Sequence, residues 1–546
     1  MVLVIILLCG GMVWSENLQS IIPLNSGVYE DMDSLFILSG RALPSTSRPW
    51  SYGEAQNLFE QLSKNSFSGS AKTLYESVSE TVYDTDLRFP VEEGYQLGLG
   101  AILYGEGYYH SNSTDFDLEE DWIFGYEDRA PIMKLYIDIG MHDWLYTYCE
   151  LEYHKALFAE EDTDIGGADT LQTIIASYLY KDTFSTNFFD MQYVDFETPY
   201  RAFISGGNDG MNLQFGRDMF SWGPGQTGNF VISDNLDYYD ALRMVSYHDH
   251  FKYELLYAFF DDPDEALDSS EDEFLKMNTF LAHRLEFTPL DWLSFAISEN
   301  VMYEQGFFDL KYLNPAYIFH NLNNRSMFNA IAYAEINAAV TPGLNVYVQA
   351  ALDQARAPLE DNSQPGAYAY MLGATHVDGV GEGVLTTNLE FAYTDPYLYQ
   401  RDLVEFKVYQ RHFTINGSDY LSPHIDFLGY PYGGDSIVGQ LSTSYRLPEV
   451  GTFSASIFGM LHGEIDINTS VEDEGFLDVG FAPSGDTIAQ TLVISTDGEL
   501  EIPQVEMLEL WYQIDWIHRR DYTKSSELFS NQEQDLQCSI GASISL

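Results

Sequence analysis

Side chains able to do chemistry are plentiful in this sequence, but their spacing matches no catalytic pattern. The chain has no Gly-x-Ser-x-Gly nucleophile elbow, no His-Glu-x-x-His zinc motif and no glycine-rich phosphate loop between a strand and a helix. His248 and His250 flank Asp249, but no third metal ligand accompanies them, and a solvated turn explains them more simply. Acidic runs such as residues 261–265 and 472–474 lack the Asp-x-Asp-x-Asp-Gly spacing of a calcium loop. We therefore expect no enzymatic activity, no bound metal and no cofactor.

Negative charge is the strongest bias in the composition. The sequence contains 84 Asp and Glu residues against 25 Lys and Arg residues, a formal net charge of −59. A surface this acidic repels phosphate backbones, which excludes nucleic acid as a partner. We interpret the acidic runs as solvated loops between structured elements.

The elements that must position any functional side chain are strands, because apolar residues recur at every second position. Leu344, Val346 and Val348, for example, alternate with Asn345 and Gln349. Such a segment buries one face and wets the other. The same alternation runs through residues 95–103, 145–153, 344–352, 508–516 and 536–546.

Composition favours a membrane barrel over a soluble fold. Aromatic residues make up 15% of the chain, with 39 Tyr and 35 Phe, although the mean hydropathy is −0.18. Barrels combine an apolar outer face, a polar lumen and aromatic girdles in this way. Beyond the N-terminal segment no run of about 18 apolar residues occurs, so a chain in the membrane has to close a barrel. Composition alone leaves a large soluble β-sandwich or propeller open.

The predicted fold class is all-β, a large closed antiparallel transmembrane barrel over residues 86–546. At roughly 25 residues per tilted strand with its connection, this length holds about 16 to 20 strands, and we favour 18. The last predicted strand alternates up to Leu546. The last residue of outer-membrane barrels is usually Phe or Trp, so the leucine here is an exception.

The N-terminal part of the chain has a different pattern. The apolar run from Val2 to Leu8 predicts a signal peptide over residues 1–15, although no basic residue precedes that run. Residues 16–85 form the second predicted domain, a periplasmic helical segment packed at the end of the barrel. Its signals are a capping box at Ser51 and Glu54 and a possible N-cap at Ser70. Apolar stripes at helical spacing follow these caps, namely Leu58 with Leu62 and Leu74 with Val78.

Several stretches resemble the Wzi-type capsule assembly proteins of the outer membrane. Together they span most of the chain, in the order that the family shows. They are residues 22–24, 33–35, 50–51, 215–217, 220–225, 233–235, 282–286, 297–299, 312–315, 353–356 and 428–435. The acidic insertion over residues 261–273 departs from the family pattern.

The resemblance implies an outer-membrane lectin that helps attach capsular polysaccharide to the cell surface. Sugars are held by aromatic faces and by planar hydrogen-bonding groups. The resemblance places candidate polysaccharide-binding residues at Arg217, Trp222, Asn235, Tyr238, Arg284, Glu299, Tyr312, Asn314, Asp353 and Arg356. The alternative for each residue is an aromatic girdle position or an ion pair inside the lumen.

The implied partners are a surface polysaccharide, outer-membrane lipid and, during biogenesis, the barrel assembly machinery, with the barrel acting as a monomer. Two other functions remain open from the sequence, a cation-selective diffusion porin and a surface adhesin. Acidic capsule polymers would be repelled by the net charge. The polymer is therefore neutral or bridged by divalent cations, or the family function has drifted.

Arg217 carries the most specific site hypothesis. The alternation of residues 211–215 predicts a strand, and Gly223-Pro224-Gly225 predicts a turn, since proline lacks a ladder donor. Arg217 and Trp222 are thus expected at a strand end or on a loop folded toward the lumen. An inward Arg217 needs a carboxylate or a sugar as partner, and Glu286 and Glu299 are the candidates.

Overall fold

A closed antiparallel barrel of 18 strands dominates the part of the chain that the structure describes. The structure is a computed structural model. It describes residues 17–83, 89–92, 94–116, 121, 123–124, 128–155, 183–188, 194–197, 200–261, 277–305, 328–354, 366–400, 404–415, 418–448, 450–469, 480–502 and 507–546. The predicted signal peptide lies outside these ranges.

Each barrel strand pairs with the next along the chain, and the last pairs with the first. Residues 537–545 of the last strand run antiparallel to residues 102–110 of the first, which leaves no free edge. Closure of the period-two strands was predicted and is confirmed. The strands are β1 Tyr95–His110, β2 Met133–Met141, β3 Leu145–Lys155, β4 Ala202–Asn208, β5 Met211–Asp218, β6 Tyr239–His248, β7 Phe251–Asp261, β8 Met277–Leu290, β9 Leu293–Gln305, β10 Phe328–Thr341, β11 Leu344–Gln354, β12 Ala367–Val380, β13 Gly383–Thr394, β14 Ser436–Leu447, β15 Gly451–His462, β16 Thr487–Glu501, β17 Leu508–Thr523 and β18 Leu528–Ser545.

The alternation along the strands places apolar side chains outside and polar side chains inside. Leu372 and Leu389 point outward and are 56% and 60% exposed. Their inward neighbours are polar and buried, as Asn345, Gln349 and Glu390 show. A soluble sandwich or propeller would bury the apolar rows, so this inside-out arrangement matches a barrel whose outer wall faces lipid.

The two ends of the barrel differ in the length of their connections. Short turns join strands at one end, which by the general rule for these barrels is the periplasmic end. These turns are residues 142–144, 209–210, 249–250, 291–292, 342–343 and 381–382. At the outer end the connections are longer, for example residues 219–238 and 395–435. Asp249 and His250 form one of the short turns, as predicted.

Three helices precede the barrel, α1 Val28–Leu38, α2 Tyr52–Glu60 and α3 Ser70–Tyr83, with a 3₁₀ turn at Lys64–Ser66. The predicted cap at Ser51 is confirmed, because its hydroxyl accepts a hydrogen bond from the Glu54 amide at 3.2 Å. The capping-box role of the Glu54 carboxylate is wrong, since that group binds Lys252 instead. Ser70 is the first residue of α3 rather than the residue before it.

The helices lie against the short turns and share a core with the barrel. Leu35, Trp50 and Leu74 are fully buried, and this core extends to Val377 and Val384 on β12 and β13. Backbone hydrogen bonds join the two parts, from Ala42 to Asp291 and from Gly343 to Ile37, each 2.8 Å long. Gly40 adopts a φ of 72°, and a Cβ there would lie 3.1 Å from the Pro342 ring. Only glycine suits both conditions.

Shorter elements complete the described fold. A hairpin of Lys407–Ile415 and Ser418–Phe427 is inserted between β13 and β14. Phe89–Glu92 and Phe184–Thr186 pair with β1, and Val194–Glu197 pairs with β3. None of the helices within the described ranges is long and apolar enough to cross a membrane.

Truncation of Leu74 should loosen the helices without opening the barrel. Leu74→Ala removes a fully buried side chain, which costs about 2–5 kcal/mol where the site cannot collapse. We expect faster tryptic cleavage at Lys64 and Lys72, while the barrel keeps its heat-modifiable mobility on gels. Thr73→Ala on the exposed side of α3 is the control. Equal cleavage in the two variants would mean that this core does not hold the helices in place.

Candidate functional site

Two chain segments meet inside the lumen, beside the wall strands β7 and β8. Residues 42–50 rise from the periplasmic helices, and the loop 219–238 descends from the outer end between β5 and β6. They form a two-residue ladder in which Ser47 pairs with Trp222 and Arg48 pairs with Ser221. The Gly223 amide also donates to the Thr46 carbonyl at 2.9 Å. Segments from the two ends of the barrel are thus connected inside the lumen.

Glu254 on β7 is the anchor of this junction. Its Oε1 accepts from the Arg243 Nε at 2.6 Å and from the Trp222 indole N–H at 3.1 Å. The Ser47 hydroxyl donates to Oε2 at 2.7 Å. Glu254 is fully buried, and charge-assisted hydrogen bonds are roughly twice as strong as neutral ones. One wall carboxylate therefore holds both segments, and we call this arrangement the lumenal clamp.

Lys252, two residues earlier on the same inward face, extends the lumenal clamp toward the helices. Its Nζ donates to the Glu54 carboxylate at 2.6 Å, to the Ser45 hydroxyl at 2.9 Å and to the Ser47 carbonyl at 2.8 Å. These three acceptors use all three donors of the ammonium group. Burial raises the pKa of Glu54 above its ordinary value, and the positive charge of Lys252 opposes that rise.

Arg284 on β8 binds the same extended segment from the neighbouring part of the wall. Its Nη2 lies 2.9 Å from the Glu335 carboxylate and 3.4 Å from that of Glu286. Nη2 also donates to the Thr46 hydroxyl at 2.6 Å, and this hydroxyl lies 2.6 Å from Glu335. Trp222 and Arg284, both predicted site residues, are therefore brought together through Thr46 and Ser47.

Glu390 on β13 fixes the tip of the loop 219–238. Its carboxylate accepts from the amides of Gln226 and Thr227, each at 2.8 Å, and from the Tyr347 hydroxyl. The predicted turn at Gly223-Pro224-Gly225 is present, with a φ of 135° at Gly223. A Cβ at Gly223 would lie 2.2 Å from the Asn229 side-chain oxygen, so the loop requires glycine there.

The outer half of the lumen is closed by aromatic packing between loops. The Tyr399 hydroxyl donates to the Phe230 carbonyl at 2.7 Å, and the Tyr399 amide donates to Asp353 at 2.7 Å. The Asn235 amide group donates to the Phe427 carbonyl at 2.9 Å. Asn235, a predicted binding residue, thus fastens the loop 219–238 to the inserted hairpin. Asp353, another predicted binding residue, lies on β11 and fastens the connection 395–435 to the wall.

Arg217 occupies a strand end, as predicted, but its predicted carboxylate partners are wrong. It forms a bidentate pair with Asp240, with distances of 2.9 and 2.7 Å, and its guanidinium lies 3.7 Å from the centre of the Tyr238 ring. Glu286 binds Arg284, and Glu299 lies 3.1 Å from His283. The register places residue 217 opposite residue 240, in the outward row of the wall.

The predicted site residues therefore fall into separate groups. Trp222 belongs to the lumenal clamp, and Arg284 lies on the wall beside it. Asn235 lies on the loop 219–238, Asp353 lies at the end of β11, and Arg217 lies with Tyr238 on the outer wall. Glu299 also points outward, next to His283. Tyr312, Asn314 and Arg356 lie outside the described residues. In the described part of the chain no cluster of three His, Cys, Asp or Glu side chains is arranged to hold a metal ion.

Sequence reasoning missed the carboxylates and cations that hold the lumen together. Lys252, Glu254, Glu335 and Glu390 were not predicted as site residues. Their signal was a charged side chain at an inward position of a strand with alternating residues. A buried charge needs a partner, so each such position predicts a contact across the lumen.

Comparisons with known proteins identify relatives of the chain. The sequence profile described as capsule assembly protein Wzi matches residues 96–485. No curated protein sequence matches. The fold is similar to that of Wzi from Escherichia coli, described as an outer membrane protein involved in group 1 capsule assembly and a carbohydrate-binding β-barrel. That structure is 12% identical with a TM-score of 0.56, and the match covers 96% of this chain and 99% of that one.

Outer-membrane channels also match, at lower similarity. OprD from Pseudomonas aeruginosa is 9% identical with a TM-score of 0.39, and the match covers 82% of this chain and 94% of that one. OccK3 from the same organism is 10% identical with a TM-score of 0.40, with 82% and 95% covered.

Removal of the Glu254 carboxylate should release both lumenal segments. Glu254→Ala leaves the Arg243 guanidinium buried without its acceptor, which costs about 3–5 kcal/mol. We expect a lower unfolding temperature in detergent and new protease cleavage within residues 42–50 and 219–238. Glu80→Ala, on the exposed side of α3, is the matched control. Unchanged stability and unchanged cleavage would contradict the anchoring role.

Proposed function

This chain belongs to the capsule assembly protein Wzi family, and on that premise we propose that it binds a surface polysaccharide as a lectin and helps attach this polymer to the cell. The chain is an outer-membrane β-barrel with an apolar outer wall. The family match over residues 96–485 is the observation that carries the proposal. The solved relative from Escherichia coli is described as carbohydrate-binding, which supports a saccharide as the ligand.

The filled lumen supports a binding role over a diffusion role. A porin requires a water-filled path between the two ends. Here the loop 219–238 spans the lumen, because its Trp222 binds Glu254 on β7 and its Gln226 and Thr227 amides bind Glu390 on β13. Loops anchored in this way present a fixed outer surface to the exterior. A fixed surface binds at a lower entropic cost than mobile loops do.

We further infer a binding protein rather than an enzyme, since the family is described by a role in capsule assembly. The proposed organisation is a signal peptide over residues 1–15, a periplasmic helical segment over residues 16–85 and the barrel over residues 86–546. The outward apolar rows suit outer-membrane lipid and a path through the barrel assembly machinery. Closure of the sheet supports a monomer, because no edge strand is left to pair with another copy.

The net charge of −59 restricts the polymer. A polyanionic capsule would be repelled unless divalent cations screened the acidic groups. An uncharged polymer meets no such barrier. We therefore favour a neutral polysaccharide as the ligand.

Loss of the protein should move capsule polymer from the cell to the medium. A deletion strain of the encoding bacterium should synthesise the polymer at the normal rate but retain a smaller cell-bound fraction, and the wild-type gene should restore retention. The measurement is the ratio of cell-bound to released polysaccharide. The proposal fails if this ratio is unchanged by the deletion and if the purified barrel also fails to bind that polysaccharide.

The purified protein should conduct poorly in planar bilayers, because the loop 219–238 spans the lumen from β7 to β13. Deletion of residues 223–229, the tip held by Glu390, should raise the single-channel conductance several-fold. Gln226→Ala is the control, because its amide still reaches Glu390 and the loop keeps its length. A large, steady and cation-selective conductance of the wild-type protein would favour the porin instead.

A further inference from the structure

A groove on the outer wall lies where β17, β18 and β1 approach the outer end of the barrel. Its cavity volume is about 460 Å³, which lies within the range of small-molecule sites. We call it the rim groove. Its lining includes Ser111, Asn112, Asp115, Trp516, Gln532 and Gln534.

The rim groove sits at the upper border of the apolar belt. Trp516 pairs with Leu536, and both lie in the outward row that continues through the exposed Ile514 and Ile540 toward the periplasmic end. One step further out, this row becomes polar, because Gln534 pairs with His518. A ligand in the groove therefore touches the membrane surface on one side and water on the other.

A buried carboxylate builds the floor of the rim groove. Asp535 Oδ1 accepts from the Ser111 amide at 2.9 Å, from the Ser111 hydroxyl at 2.9 Å and from the Asn112 amide at 2.8 Å. The Asn112 side chain donates to the Gln534 carbonyl at 3.2 Å and to Asp115 at 3.0 Å. The loop after β1 is thereby fixed to β18 before any ligand arrives, which lowers the entropic cost of binding.

The exposed groups of the rim groove suit a sugar ring. Trp516 is half-buried, and the His518 ring stacks on it with 5.9 Å between ring centres. Gln532 lies within 3.1 Å of the same histidine, so the indole has a polar neighbour above it. A flat aromatic face receives the C–H face of a pyranose. Exposed amides and a carboxylate, here Gln532, Gln534 and Asp115, receive its hydroxyl groups.

A girdle role for Trp516 accounts for its position but not for the cavity beside it. Tryptophan is enriched at membrane interfaces for its amphipathic ring alone. A girdle residue needs neither a fixed loop nor a ring of amides around its face. Among the described residues, the lining contains the acidic residues Asp115, Glu533 and Asp535 and no lysine or arginine, so it disfavours uronates and phosphates.

We propose that the rim groove is a saccharide subsite that binds an uncharged pyranose ring against Trp516, on the outside of the barrel wall. This inference rests on the proposed function and deepens it by placing the sugar at the membrane surface instead of above the lumen. The ring belongs either to a free polymer chain or to the headgroup of a glycolipid in the outer leaflet. Both sources present the same chemistry to the groove.

The test uses the full-length barrel with two kinds of neutral probe. Maltohexaose in detergent solution represents a free chain, and diglucosyl diacylglycerol in nanodiscs represents a headgroup. Tri-galacturonate in detergent solution is the acidic comparison. We expect maltohexaose or the glycolipid to bind, and Trp516→Ala to weaken this binding about tenfold by loss of the stacking face. Tri-galacturonate should bind more weakly than maltohexaose to the wild type and should gain affinity in Asp115→Asn.

Trp292→Ala is the matched control, because Trp292 is 48% exposed in a short turn at the opposite end of the barrel. It should leave binding unchanged. Trp516→Phe keeps an aromatic face and should retain most of the affinity. Where Trp516→Ala fails to fold, the Asp115→Asn variant decides, because the absence of any gain in tri-galacturonate affinity would overturn the proposal. Heat-modifiable mobility on gels reports folding for every variant.

The outcomes separate the rim groove from the wider function. If the wild type binds a neutral probe and both Trp516 variants bind it equally well, the proposal that the rim groove binds a sugar is overturned, while the proposed lectin function stands. If the wild type binds neither neutral probe, the rim groove is likewise overturned, and the polymer-retention experiment decides the wider function independently. Binding of the glycolipid alone supports the proposal and identifies a headgroup as its source, whereas binding of maltohexaose supports a free chain.

Discussion

In lipid every backbone N–H and C=O group must find its partner within the protein, and the rest of this structure depends on that constraint. Eighteen strands satisfy it by closing on themselves, with β18 paired to β1. Closure in turn dictates that one face of each strand is apolar and outward and that the other faces a lumen. A lumen enclosed by 18 strands is too wide for its own side chains to fill. Its contents must therefore come from the loops and from the N-terminal segment.

Charge and apolar packing together hold these contents in place, because the loops also pack against inward apolar wall residues such as Leu256, Phe280 and Met371. The carboxylates of Glu254 and Glu390 each gather several donors from chain segments distant in sequence. Burying such charges is costly, and the balance becomes favourable only when every partner is present. The lumenal clamp therefore favours one arrangement of loop and segment over all others. This explains how a long loop between β5 and β6 attains a defined path.

Periodicity in the sequence was sufficient to predict the barrel and the helices. The length of the barrel segment gave about 16 to 20 strands with 18 favoured, and the Ser51 motif gave the cap. Periodicity could not predict which carboxylate Arg217 binds, because a period of two carries no information on the register between strands. The partner proved to be Asp240, which the register places opposite. The predicted capping role of the Glu54 carboxylate was wrong for a related reason. A local capping box competed with Lys252, a residue almost 200 positions away, and the long-range ion pair prevailed.

A filled lumen also restricts where a capsule-binding barrel can contact its polymer. Side chains such as Trp222 and Arg284 have the right chemistry for a sugar, but they are fully buried and bound to protein partners. A polymer can reach only the loops and the outer wall above the apolar belt. On the wall, aromatic residues at the lipid boundary already carry one exposed face, so a neighbouring loop that adds amides converts a girdle position into a recognition surface. Trp516, with Asn112 and Gln534 beside it, meets that condition.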